Sequence, residues 1–267
     1  MRLEGPFGDH TGYYSQDGDY PVFHITAITH RKDPIYLTTI VGKPPQEDFY
    51  LGRATERIFL PLLRTQLPEI VDMDMPVEGV FHNCVIVSLK KSYPMQSRRL
   101  MSALWGLGQM SFVKTIITVD PTIDVHNYEE VVKLILNQVD FDRDLFFSEG
   151  VLDVLNHASD NMLYGSKLGI DLTTKVEGEP GFGESKNPDK NMSTLATVNE
   201  VKNHFPEVQN IKYLDLNTQR SVMYIALNKT LPHQATEFIE SFFNEPKFST
   251  VNIVIVLEAN VNLENNS

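Results

Sequence analysis

One segment of this chain occurs twice. Val85-Ile-Val-Ser-Leu-Lys-Lys-Ser-Tyr-Pro-Met-Gln96 matches Met223-Tyr-Ile-Ala-Leu-Asn-Lys-Thr-Leu-Pro-His-Gln234 without a gap, at an offset of 138 residues. Leu89, Lys91, Pro94 and Gln96 recur as Leu227, Lys229, Pro232 and Gln234. The register persists until Ile117 falls on Ile255 and Asp120 on Glu258. Chance rarely preserves a Lys-x-x-Pro-x-Gln loop together with the helix and strand that follow it. The chain is therefore read as an internally repeated α/β fold.

Each copy begins with a short apolar strand, Cys84–Leu89 in the first. Pro94 then sits at a helix start, where its missing N–H costs nothing. Leu100, Met101, Leu104 and Trp105 share one helical face, 113–119 reads as a strand, 128–139 as a helix and 145–147 as a third strand. Strands alternating with helices imply βαβ units and a largely parallel sheet. The second copy reaches Ser267 without the last helix and strand of the first. Between the copies, 176–192 is dense in Gly, Pro and charge and reads as a mobile loop.

Before the repeat the pattern differs. Residues 21–28 and 35–41 carry the β-branched and aromatic side chains of strands, with a turn at Arg31-Lys-Asp-Pro34. From 48 to 66, Leu51, Ile58, Leu62 and Leu63 recur at helical spacing, and Pro68 lies just past the end.

Composition excludes several functions. A net charge of −12 repels phosphate backbones, and no Lys/Arg stripe is interleaved with aromatics, so nucleic acid is not an expected partner. No apolar run approaches the eighteen or so residues of a transmembrane segment, and Met1-Arg-Leu-Glu-Gly-Pro6 has no signal-peptide character. The single cysteine, Cys84, excludes an internal disulfide and a thiolate metal cluster, which suits the reducing cytoplasm.

The densest group of chemically capable residues is Glu4-Gly-Pro-Phe-Gly-Asp-His-Thr-Gly-Tyr-Tyr14. Its glycines and proline bend the backbone, so Glu4 and Asp9 need not lie on opposite faces of a strand. Two carboxylates brought together in a partly dry site push their pKa values apart, and one can then act as a general acid. A Gly/Asp-rich surface turn with a capping carboxylate is the other reading of the same residues. Elsewhere the signals are weaker. His24 and His30 read as structural, not as zinc ligands, and Trp105 as core. Gly106-x-Gly108 follows a helix rather than a strand, so it is no dinucleotide fingerprint. Lys114, in an apolar strand, reads as a strand-end lysine reaching solvent or as one reaching towards the site. Lys91 and Lys229, present in both copies, suggest a shared loop contact.

The stretch from Leu3 to Tyr14 resembles the active-site motif of the UbiD family of decarboxylases, which act on polyprenyl-hydroxybenzoate and aromatic acids. The likeness continues through 26–31, Gly42-Lys-Pro-Pro45, Leu67-Pro-Glu-Ile-Val-Asp72, Lys90-Lys-Ser-Tyr93, Asp140-Phe-Asp-Arg-Asp144 and Gly165-Ser-Lys-Leu-Gly-Ile-Asp171, and so covers about 1–175. The resemblance implies non-oxidative decarboxylation of a small aromatic or α,β-unsaturated carboxylic acid by a homo-oligomer using prenylated FMN, a divalent metal and a monovalent cation. It implies Asp9 as the proton donor, Glu4 as its partner carboxylate and His10 near the substrate. The family's arginine, metal ligands and main flavin-phosphate contacts lie upstream of this motif, so the chain looks like a carboxyl-terminal portion. The domains expected are 1–72 from a β-rich split barrel, 73–175 as the first α/β unit, the loop, and 193–267 as a second, truncated unit. The alternative function is a non-catalytic α/β oligomerisation module. A nucleotide-binding βαβ protein ranks last, for want of a glycine-rich phosphate loop after a strand.

Overall fold

Apolar runs flanked by turns become the centres of two sheets in this computed structural model, which describes residues 1–159, 161–184, 196–214 and 218–264. The strands are β1 (Arg2–Glu4), β2 (Gly18–Tyr20), β3 (Ile70–Asp74), β4 (Cys84–Leu89), β5 (Thr115–Val119), β6 (Leu145–Val151), β7 (Tyr164–Asp171), β8 (Val208–Leu214), β9 (Val222–Leu227) and β10 (Ile253–Glu258). The helices are α1 (Glu47–Gln66), α2 (Gln96–Trp105), α3 (Tyr128–Gln138), α4 (Val198–His204) and α5 (Gln234–Asn244). The chain divides into two compact units, one of Met1–Val131 with Phe141–Gly183, the other of Val132–Asp140 with Glu184–Ser267.

In the first unit the sheet order is β3-β4-β5-β7-β6. The central β4, β5 and β7 are parallel, while β3 and β6 run antiparallel at the edges. The sheet is thus mixed rather than largely parallel, and β6 corrects the expectation of a further βαβ step after α3. Leu145–Val151 and Tyr164–Asp171 pair residue for residue as neighbouring antiparallel strands, so β7 rather than β6 takes the parallel place beside β5. Val85, Val87 and Leu89 of β4 pack with Leu60 and Leu63 of α1 and with Leu100, Met101 and Leu104 of α2. That face is a continuous apolar layer, the condition under which a parallel strand needs no polar alternation. Cys84 opens β4, and burial pushes its thiol up to about 11.

The second unit has the sheet order β10-β9-β8, with β9 and β10 parallel and β8 antiparallel. Four of its elements start 138 residues beyond their counterparts in the first unit: Ile70 and Val208, Cys84 and Val222, Gln96 and Gln234, Thr115 and Ile253. Both edge strands carry a register shift at the same place, between Ile70 and Asp72 and between Val208 and Asn210. The repeated loop also has one geometry. Met95 and His233 both take φ of 62°. Ser92 N–H donates to Gln96 Oε1 at 2.7 Å, and Thr230 N–H to Gln234 Oε1 at 2.8 Å. The left-handed residue delays each helix to Gln96 and Gln234, two positions after the proline expected to start it. Phe205, Phe238, Phe242 and Phe248 centre the second core, with the Phe242 and Phe248 rings stacked 4.7 Å apart.

α4 is held by a capping box. Thr197 Oγ1 accepts from Glu200 N–H at 3.2 Å, and Glu200 Oε2 accepts from Thr197 N–H at 2.7 Å. A seven-residue helix cannot sustain itself by propensity alone. Thr197→Ala is expected to cost about 1 kcal/mol, read as a lower urea midpoint of the second unit with an unchanged slope.

Two further expectations change. Residues 21–28 and 35–41 form no strands among the described residues. Val22, Phe23, Ile25, Ile35, Tyr36 and Leu37 are exposed there. β-branched and aromatic composition favours strand only where a neighbouring backbone completes the ladder. Of the loop read over 176–192, residues 185–192 lie outside the described residues, while the beginning is pinned by Glu179. That side chain is 2% exposed and meets Lys91 Nζ at 2.6 Å.

Candidate active site

The amino-terminal motif folds as a hairpin in which Glu4 on β1 pairs with Gly18 on β2. Beyond β1 the chain turns tightly. Gly12 N–H donates to Asp9 O at 2.9 Å, and Asp9 N–H to Tyr13 O at 3.2 Å. Gly12 has φ of +81°, a region glycine enters without steric cost. A Cβ there would also meet the end of the flexible Lys43 side chain, which can move aside, so it is the backbone angle that calls for glycine.

This turn presents Asp9 and His10 together. Asp9 Oδ1 accepts from the His10 backbone N–H at 2.7 Å and lies 2.7 Å from His10 Nδ1. The side chains are 25% and 13% exposed, so the pair is reachable but partly dry. Glu4 is exposed, and among the described residues no hydrogen bond or ion pair joins it to Asp9 or His10. The structure therefore brings two of the three expected residues into contact.

His10 has a further neighbour that the sequence reading missed. Its Nε2 lies 3.2 Å from Nε2 of His82, and the rings meet edge to face with centroids 5.4 Å apart. Phe81 stands on the same imidazole at 5.6 Å. Burial, with the His10 ring beside it, holds His82 below the usual imidazole range against the pull of Asp153 and Asp9. No spacing rule could have found this contact, because 72 residues separate the two histidines. The only local sign is the pair His82-Asn83 set immediately before an apolar strand.

Of the weaker candidates, His24 and His30 are both exposed, and Trp105 packs against the first core. Lys114 lies half-buried just before β5, its N–H donating to Asn83 O at 3.1 Å. A second titratable cluster joins Glu56 of α1, Asp74 of β3 and His126, with ligand atoms within 4.8 Å of one another. Its oxygens are already engaged. Arg53 and the Tyr128 hydroxyl donate to Asp74, and Arg57 and Met75 N–H to Glu56. A cation there would have to displace guanidinium groups, so the cluster is an ion-paired support of α1 on β3.

The 3-octaprenyl-4-hydroxybenzoate carboxy-lyase Rift-related domain matches residues 1–44, and the C-terminal domain of the same family matches 49–172. An uncharacterized protein of Archaeoglobus fulgidus is 49% identical over 212 residues, which is 79% of this chain and 44% of the relative. One from Aquifex aeolicus is 54% identical over 66% of this chain and 36% of its own. The chain thus spans less than half the length of these relatives. Among solved structures, the vanillic acid decarboxylase of Sedimentibacter hydroxybenzoicus in closed form aligns with a TM-score of 0.63 at 25% identity, over 77% of this chain and 43% of that one. The UbiD-class enzyme HmfF from Pelotomaculum thermopropionicum, in complex with FMN, shares the fold, with a TM-score of 0.54 at 24% identity over 73% of this chain and 41% of that one. Two domain models of one family, matched over residues 1–44 and 49–172, together cover more than half of the chain, which belongs to the UbiD family.

Proposed function

We propose that this chain carries the acid end of a decarboxylase active site working on an aromatic or α,β-unsaturated carboxylic acid with prenylated FMN. The observation that carries the reading is the Asp9–His10 contact at 2.7 Å in a half-buried turn. A carboxyl group backed by an imidazole can take up and release a proton, and protonating a carbon after CO2 departs needs such a group. Asp9 is the proton donor. Glu4, on the adjoining strand, is the partner carboxylate, and His10 lies beside the substrate.

The residues present suit the reacting end of a flavin of this kind. They offer a proton-bearing pair with ring contacts, in a partly dry turn. When bound, the cofactor supplies an electron sink for the carbon that loses CO2. Asp9 and Glu4 would stand at that end. The resemblance puts ligands for the flavin phosphate, divalent metal and monovalent cation upstream of Glu4, and none is assigned to this chain. The single cysteine suits a cytoplasmic enzyme, and the family resemblance a homo-oligomer.

The test is isotope exchange. The intact enzyme loaded with prenylated FMN is expected to exchange labelled bicarbonate into the carboxyl group of at least one aromatic or α,β-unsaturated acid. It should also exchange solvent deuterium at the carbon that bore the carboxylate. Retained cofactor with no exchange on any member of a broad acid panel would remove the reading.

One observation favours a second reading. The unit of β8–β10 repeats the topology of β3–β5 without Asp9, His10 or His82 chemistry. It would then serve assembly alone, as an oligomerisation module.

A further inference from the structure

The loop that brings His82 to the site carries two consecutive left-handed residues. After the short 3-10 turn at Val77–Gly79, Val80 and Phe81 take φ of 51° and 62° in succession. A β-branched residue and an aromatic in the left-handed region are uncommon, and such outliers persist where surrounding structure over-determines them, often at functional sites. The loop is held from every side. His82 N–H donates to Val80 O at 2.8 Å, Asn83 N–H to Gly79 O at 3.0 Å, and Asn83 O accepts from Thr115 N–H of β5 at 2.8 Å. The Phe81 ring lies 3.3 Å from where a Cβ on Gly52 of α1 would stand. The result is a fixed imidazole edge directed at His10.

Hydrogen-bond direction then follows from the network. In the state that follows proton delivery Asp9 is a carboxylate, and His10 then donates through Nδ1–H, which leaves its Nε2 as an acceptor in the neutral ring. The donor to that atom is His82 Nε2–H, and His82 Nδ1 is left as a bare lone pair. Among the described residues buried His82 Nδ1 makes no hydrogen bond of good geometry, and Asn83, whose Oδ1 is also unpartnered, is the side chain beside it that favours the protonated ring. The reverse arrangement would bury an unpaired N–H there, which is the costlier defect.

We propose that His82 is a positioning residue of this site, donating through Nε2–H to His10 and so holding the imidazole with Nδ1–H aimed at Asp9. It touches neither substrate nor cofactor and acts only through His10. The groups that face it are Asp9, His10, Phe81, Asn83 and Asp153. The inference rests on Asp9 being the acid, and the two can fail separately.

Nitrogen–proton correlation spectra of protein labelled at histidine separate the two neutral tautomers. His10 is expected as Nδ1–H and His82 as Nε2–H, and the opposite assignment for His82 overturns the proposal. In the intact, cofactor-loaded enzyme, His82→Phe keeps a ring but removes the donor, and kcat should fall about tenfold with KM unchanged. His82→Gln, which still offers an N–H, should retain most of the rate. In an Asp9→Asn background His82→Phe should cost nothing further, because no acid remains to be positioned. An equal loss in both backgrounds, or His82→Gln as slow as His82→Phe, means a structural role and ends the proposal. If Asp9→Asn alone turns over at the wild-type rate, the assignment of Asp9 fails, and the tautomers still decide what His82 does.

Discussion

Asp9→Asn in the intact, cofactor-loaded enzyme is expected to lower CO2 release on the order of a hundredfold or more. The substitution removes the proton a carbon acceptor needs and leaves the shape of the turn. An Asn Oδ1 can still accept from the His10 backbone N–H and from its Nδ1–H, the two contacts Asp9 makes at 2.7 Å. Cofactor content should therefore be unchanged, and folding should be unaffected. Two measurements separate the steps, CO2 release and solvent-deuterium exchange at the reacting carbon. Loss of exchange beyond loss of CO2 release assigns Asp9 to protonation. Wild-type rates in both, with cofactor bound, would remove Asp9 from the acid role and leave Glu4 as the next residue to change.

Lys91→Met is expected to destabilise the first unit by about 3–5 kcal/mol in urea unfolding. Lys91 is 3% exposed, and its Nζ donates to Glu179 Oε2 at 2.6 Å and Thr173 Oγ1 at 2.8 Å. Glu179 also accepts from Met95 N–H at 2.7 Å and Val176 N–H at 2.9 Å. Removing the ammonium strands a buried carboxylate on two amides, which is the expensive way to break an ion pair. Burial would push the Glu179 carboxyl up, but the Lys91 contact and those two backbone N–H groups outweigh it and hold it below the usual range. Its native contribution is therefore complete above the unfolded glutamate pKa of about 4.3 and lost as pH falls through the lower folded value. Without Lys91 burial dominates, so the deficit of the variant should shrink as acid protonates Glu179. Lys229 holds the same place in the repeat but is 43% exposed and pairs with Glu258 at 3.1 Å. Lys229→Met should cost about 1 kcal/mol or less. A comparable loss at both positions would refute the burial argument.

These two lysines show where sequence reading reaches its limit. Their recurrence was visible because the Lys-x-x-Pro-x-Gln loop is local, and a local loop repeats its backbone geometry whenever its residues repeat. The acid each lysine meets is set by what folds over it. Glu179 comes from a segment outside the repeat, rich in the Gly and Pro that ordinarily signal freedom. Similarly, α1 was legible from Leu51 to Leu63 because its periodicity is carried by neighbours in the chain. β7 was not, because Gly165 and Gly169 dilute the apolar pattern that would have marked it. Glu4 and Asp9 stood out as a carboxylate pair in a bent motif, and His10 entered only through the family resemblance. His82 did not, since its meaning depends on two left-handed residues and a contact made across the fold.

Cys84 has a practical consequence for studying all of this. With its thiol at about 11, only about one molecule in ten thousand carries the thiolate at neutral pH, and electrophiles react with the thiolate. A cysteine placed on an exposed surface would ionise near 8.5, with a few hundred times more of the reactive form. The chain is thus a nearly silent background for spectroscopic labels. A probe could be set beside the Asp9 turn without replacing the native residue at the head of β4.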